Sequence, residues 1–284
     1  MREKRTVRLA AWLVLGGLFF AAACNGTDVS SLRFPYLWLG TPGFGGDIDQ
    51  QGIVEPSGIC YNAARGTLFV VSDEGWVYEI TRGGRPLASV RVPGDLEDIT
   101  LDPATGLFYI IVEGEDVILE FDFGRREVTR RFPVNRAYGG KAEFLERQRN
   151  AYDNGIEALA FVPDPHHPEG GTFYAGNQWD PPCVVELLVP LRSATGDGEA
   201  KILRVLPFKI DDPAAIRYDA RTRLLDIVSD ADNILAEVAL DGRVVRAYAF
   251  PGDNQEGLTE DDEGYLYIAQ DTGGILKVKD LRRK

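Results

Sequence analysis

The chain has 284 residues and a formal net charge of −13, with 44 Asp and Glu against 31 Lys and Arg. So acidic a balance argues against nucleic acid or anionic lipid headgroups as the main partner and suits cation binding. With two His and three Cys, a His-activated Ser or Cys nucleophile has almost nothing to be built from.

Taken in chain order, Arg2, Lys4, Arg5 and Arg8 form a positive start, and residues 9–22 form an apolar run too short for a comfortable membrane span. Ala21-Ala22-Ala23-Cys24 follows, and this ending resembles a bacterial lipoprotein signal. Residues 1–23 are therefore expected to be removed and Cys24 lipidated; an ordinary secretory signal with an incidental Cys is the alternative. Removal would move the formal charge to −16. Asn25, rather than an Asp retention signal, follows Cys24, which favours an outer-membrane or surface anchor. Residues 24–31 read as a short linker and 32–284 as one domain, long enough for a continuous core.

That domain repeats one phrase five times: a short apolar strand opened by an acidic or small residue, a turn, and further β-rich strands. The anchors are Ser57, Glu97, Glu157, Ala214 and Glu256, spaced by 40, 60, 57 and 42 residues. Insertions fill the two long intervals, so the period is about 40 residues, that of a four-stranded propeller blade. The first copy predicts strands at 59–62, 67–72, 76–81 and 87–92, and the second at 99–101, 107–112, 117–122 and 127–133. Residues 141–152 carry the one helical pattern, an insertion between copies two and three. The fourth copy predicts strands at 216–219, 224–229, 233–240 and 244–250; the fifth holds only three, at 257–259, 265–270 and 274–278. An open ring would expose a strand edge, and residues 32–39 can supply the missing strand. The expected fold is an all-β, five-bladed propeller closed by its N-terminal strand. Cys60 and Cys183 lie two repeats apart, too far for easy bridging, and are expected as free, buried thiols.

Several ordered motifs resemble the SdiA-regulated (YjiK-like) family: Glu55-Pro56-Ser57-Gly58-Ile59, Leu68-Phe69-Val70-Val71-Ser72-Asp73-Glu74, Asn154-Gly155-Ile156-Glu157-Ala158-Leu159-Ala160, Ile227-Val228-Ser229-Asp230-Ala231-Asp232-Asn233 and Glu256-Gly257-Leu258-Thr259. The resemblance spans roughly 32–284. It implies a five-bladed, calcium-binding propeller in the periplasm or on a lipid anchor, distantly similar to NHL-type and esterase-like phytase propellers. It attaches no firm reaction.

Blade topology places the acidic residues independently. Strands alternate in direction from the axis outward, so inner-strand starts and second-strand ends share one face. Glu97, Glu157 and Glu256 converge there as candidate metal ligands, with Asp73, Glu113, Asp230, Asp271 and Asn177 as additional candidates. Carboxylates crowded on one axis repel and call for a cation or protons; oxygen-only donors suit Ca²⁺. Asp102, Asp219, Asp241, Asp261 and Asp262 read instead as turn caps. His166 and His167 fall in a loop on the opposite face. Two function classes stay open: a lipid-anchored, calcium-binding envelope module for a small-molecule or protein ligand, acting as a monomer, or a calcium-dependent hydrolase of lactonase or phytase type. The scarcity of basic residues near the mouth disfavours phosphate substrates, and the binding module is the preferred reading.

Overall fold

The computed structural model describes residues 33–37, 52–145, 155–250, 252 and 254–282. These residues form twenty strands and no helix. The expected signal segment, Cys24 and the expected linker lie outside the described residues. Among those described, no helix is long and apolar enough to cross a membrane.

The strands run in antiparallel meanders. The first comprises β2 (Pro56–Asn62), β3 (Thr67–Ser72), β4 (Trp76–Thr81) and β5 (Pro86–Arg91). The second is β6 (Leu96–Leu101), β7 (Phe108–Val112), β8 (Val117–Asp122) and β9 (Glu127–Asn135); the third is β10 (Ile156–Pro163), β11 (Gly171–Asn177), β12 (Cys183–Leu188) and β13 (Ala200–Val205). Then come β14 (Pro213–Asp219), β15 (Leu224–Ser229), β16 (Ile234–Ala239) and β17 (Val244–Ala249). The last meander is β18 (Gln255–Glu260), β19 (Tyr265–Gln270) and β20 (Ile275–Asp280), with β1 (Tyr36–Leu37) antiparallel to β20.

The first strand of each meander abuts the first strand of the next: β2 lies against β6, β6 against β10, β10 against β14, β14 against β18, and β18 returns to β2. This is a β-propeller-like circuit. Its cores lie between neighbouring sheets, so the middle strands are covered on both faces and are apolar throughout rather than alternating. In β7 (Phe-Tyr-Ile-Ile-Val) every residue is buried. Phe69, Phe108 and Phe121 pack between the first and second meanders, and Phe161 and Phe173 join Tyr109 between the second and third.

Two features depart from the expected elements. Sheets two and three merge into one eight-stranded sheet, because β13 pairs in parallel with β9 at Ala200↔Val134 and Lys201↔Asn135. At nine residues β9 outruns its partner, its last pairing with β8 being Pro133 to Val117, and the surplus is free to pair outward. Second, residues 141–145 are not helical: Lys141 bridges Tyr138 and bends follow. Phe144 N–H bonds back to the Arg136 carbonyl (2.7 Å) and Leu145 is fully buried, so apolar anchoring overrides weak helical periodicity here. The rest of that predicted helix lies outside the described residues.

The N-terminal segment straps two sheets. Phe34 N–H bonds to the Ala249 carbonyl (3.1 Å), and its ring meets Tyr248 and Phe250 edge-on. Leu281 N–H then bonds to the Pro35 carbonyl (2.8 Å) just before β1 joins β20. Deleting residues 24–40 is expected to lower the melting temperature of the whole protein, since it uncovers one apolar seam and one strand edge together. An unchanged thermal transition would show that the strap is dispensable.

Candidate metal centre at the acidic mouth

Each inner strand begins with the same irregularity. The β6–β7 register passes from Leu96↔Val112 to Asp98↔Ile111 and leaves Glu97 unopposed. In β10 the step from Ile156↔Asn177 to Ala158↔Gly176 isolates Glu157, and in β18 the step from Gln255↔Gln270 to Gly257↔Ala269 isolates Glu256. Ala214 occupies the same place in β14, and Ser57 with Gly58 in β2. A bulge re-aims the side chain it carries, so the three Glu residues are structurally equivalent. Glycine permits the close approach: a Cβ on Gly58 would sit 2.4 Å from Asp98 Cα, and one on Gly257 2.3 Å from the Ser57 carbonyl.

These carboxyls act on one another. Glu97 is held well above the usual carboxylate range by burial, then by the charges of Asp73, Glu113, Asp95 and Glu256. Glu157 is raised by burial and by Glu256, Glu97, Glu113 and Asp212. Glu256 is raised by burial and by Asp230, Asp212, Asp271 and Asp73. Burial also lifts Asp73 to about 6, with Asp95, Asp271 and Glu55 adding to it against the hydrogen bond donated by Ser57 Oγ. The principal charges acting on all four groups are negative. Glu157 is 7 % exposed, and its Oε2 is buried with no hydrogen-bond partner. A buried, unpartnered carboxylate oxygen is expensive unless protonated or bound to a cation.

Among the described residues, one trio of carboxylates could share an ion directly: oxygens of Asp73, Asp95 and Glu97 all lie within 4.8 Å of one another. That span suits a hard cation with oxygen ligands at roughly 2.3–2.6 Å. The trio shares only Glu97 with the predicted Glu97–Glu157–Glu256 set; Glu157 and Glu256 reach it through charge. Asp95 is not among the residues to which the repeat points. The available signal was its place in Gly94-Asp95-Leu96, immediately ahead of an inner strand.

The additional candidates sit on the same face in different roles. Glu113, also buried, takes the Gly155 N–H (3.3 Å), tying the second meander to the third. Asp230 takes the Gln255 N–H (2.8 Å) across the next junction but one. Asp271 is anchored by its own N–H to the Asn254 carbonyl (3.1 Å), and its charge reaches Asp73 and Glu256. Asn177 is drawn into a turn: its amide donates to the carbonyls of Trp179 and Pro181.

Elsewhere the plain readings hold. Asp102 caps Ala104 N–H and Thr105 Oγ1, Asp219 caps Arg221 N–H, Asp241 caps Arg243 N–H, and Asp261 caps Glu263 and Tyr265 N–H. Asp262 instead pairs with Arg82 (3.0 Å). His166 and His167 lie in the β10–β11 turn, at the end of β10 away from Glu157. Cys60 and Cys183 are free; Cys183 is buried and Cys60 half-buried, and burial pushes both thiols up to about 12. Burial thus disfavours the thiolate in both.

The sequence pattern of the SdiA-regulated family matches residues 39–272. The chain belongs to that family. No curated protein matches it. Among solved structures, glutaminyl cyclase from Myxococcus xanthus is similar in fold, with a TM-score of 0.59 at 8 % identity, covering 87 % of this chain and 97 % of that one. At that identity the likeness speaks for the propeller architecture of this SdiA-regulated protein alone.

Proposed function

We propose that this SdiA-regulated protein is a five-bladed β-propeller, residues 32–284, that binds Ca²⁺ at its acidic mouth and acts as a monomeric ligand- or protein-binding module on the bacterial envelope. The blade count is supported by the five abutting inner strands; the eight-stranded sheet is then two blades stitched at their outer strands. The observation that carries the metal is the buried, unpartnered Oε2 of Glu157 within a field of carboxylates, beside three acids close enough to hold one ion. Glu97, Glu157 and Glu256, with Asp73 and Asp95, would supply oxygen donors and negative field. Calorimetry with Ca²⁺, paired with thermal denaturation in Ca²⁺ and in EDTA, tests this: no heat and no thermal shift would remove the metal. A turnover screen with lactones and phosphate esters in the same buffers decides the hydrolase alternative, in which a Glu of the mouth would serve as base beside the ion.

The envelope anchor is carried by Ala21-Ala22-Ala23-Cys24. Metabolic labelling with a tagged fatty acid is expected to mark the protein, and Cys24→Ser to abolish both the label and membrane retention. A soluble product with unmodified Cys24 would sink the lipoprotein assignment.

A further inference from the structure

Beside the mouth, between the turn that follows β11 and the start of β14, lies a cavity of about 310 Å³ lined by Gln178, Trp179, Pro182, Asp211, Asp212 and Ala231. Gln178 directly follows a second-strand end and Asp212 directly precedes an inner-strand start, so the cavity opens on the same face as Glu157. Trp179 is 62 % exposed, the most exposed large apolar side chain among the described residues. Its backbone is pinned: the buried Asn177 amide holds the carbonyls of Trp179 and Pro181, and Gln178 N–H is bonded to the Gly155 carbonyl (2.9 Å). Asp212 is fixed as well, its Oδ2 accepting the Ala231 N–H (3.2 Å). None of the six lining residues is cationic, and the charges of Asp211 and Asp212 add to burial in raising Asp232 close by.

An exposed indole, two carboxylates and a lining without a basic residue favour one chemistry. A positive head attached to an organic body gains from the ring quadrupole and from the carboxylates together. A neutral sugar could stack on the indole and donate hydroxyls to the carboxylates, but it carries no charge to offset theirs. We propose that this cavity is a side subsite of the mouth for an alkylammonium or guanidinium group, so that the ligand of the module is an organic cation. The inference rests on the binding-module reading and not on the identity of the ion.

The test is calorimetric titration of the purified protein in Ca²⁺ with Nα-acetyl-lysine amide, Nα-acetyl-arginine amide and cadaverine, against the Nε-acetylated lysine amide and glucose. The cationic probes are expected to bind at least roughly tenfold more tightly than the acetylated probe, with the difference shrinking as salt rises. Trp179→Ala is expected to weaken them by roughly tenfold and Trp179→Phe by less, while Asp211→Asn weakens them and removes part of the salt dependence. Ca²⁺ titration of the Trp179→Ala protein should match wild type, which shows that the fold and the mouth are intact. Equal binding of the charged and acetylated probes, tighter binding of glucose, no binding of any cationic probe at tens of millimolar, or unaltered binding in Trp179→Ala would each overturn the subsite. A missing Ca²⁺ heat in wild type would count against the metal alone, because the amine titrations report separately.

Discussion

Replacing Glu97, Glu157 and Glu256 together by Gln is expected to stabilise the metal-free protein and to abolish its calcium-dependent rise in melting temperature. Gln keeps the shape at each bulge and removes the charge whose burial and mutual repulsion disfavour the folded apo state. A ligand that binds only the native state at about a thousand times its Kd contributes about 4 kcal/mol. For a domain of this size that is roughly 10 °C of melting temperature, and the triple variant should lose it. Glu157→Gln alone should lose a part. The pH dependence has a definite sign. These carboxyls, and Asp73 at about 6, titrate higher in the folded protein than unfolded. The folded state therefore holds protons that the unfolded state releases, and metal-free stability should fall as pH rises from about 4 through 6 and beyond. Ca²⁺ competes with the same protons, so its affinity should rise over that window. Thermal melts in EDTA and calorimetry at both ends of the window check these signs. Wild-type Ca²⁺ affinity in the triple variant would move the ion to other acids of the face.

Arg282→Ala should be among the most destabilising single substitutions in the protein, at roughly 3–5 kcal/mol. The Arg282 side chain is 6 % exposed and binds Asp226 (2.9 Å), Asp280 (2.8 Å) and Glu237 (3.1 Å), with its guanidinium 4.7 Å from the Phe34 ring centroid. Arg217 pairs with Asp226 and with Glu260 (2.8 Å) from the other side, so the network locks the fourth meander to the last one and to the N-terminal strap. Removing Arg282 takes a cation from three acids at once and leaves buried Asp226 with Arg217 alone of its two arginines. Burial alone would raise Asp226, yet Arg217 and Arg282 bring it down to about 2. That stabilisation is complete above the unfolded carboxylate value near 4 and is lost as pH falls toward 2. Chemical denaturation should show the loss at neutral pH, and the Arg282→Ala protein should unfold at a higher pH on acidification. A midpoint within error of wild type would mean that the network is energetically idle.

Much of this architecture is legible from local chemistry alone. Strand positions follow from short β-branched and aromatic runs bounded by Asp-Gly turns, and most predicted strands are found within a few residues of their expected bounds. The repeat itself makes Glu97, Glu157 and Glu256 equivalent, because each opens an inner strand at the same point of the phrase. What only the tertiary structure decided are relations between residues far apart in the chain. Asp95 looks like any loop acid until the second inner strand sets it and Glu97 beside Asp73. The Trp179–Pro181 turn takes up the NH2 of Asn177 and leaves its buried Oδ1 without a partner, a division that no local pattern announces. Residues 141–145 follow the buried Leu145 rather than their helical period. Arg282 has one acid within local reach, Asp280, and its weight comes from joining it to Asp226 and Glu237 on the fourth sheet. Turn and strand preferences act over a few residues and can be read in order, and the repeat carries three Glu residues to one axis; which other charges and buried groups meet them is settled through space.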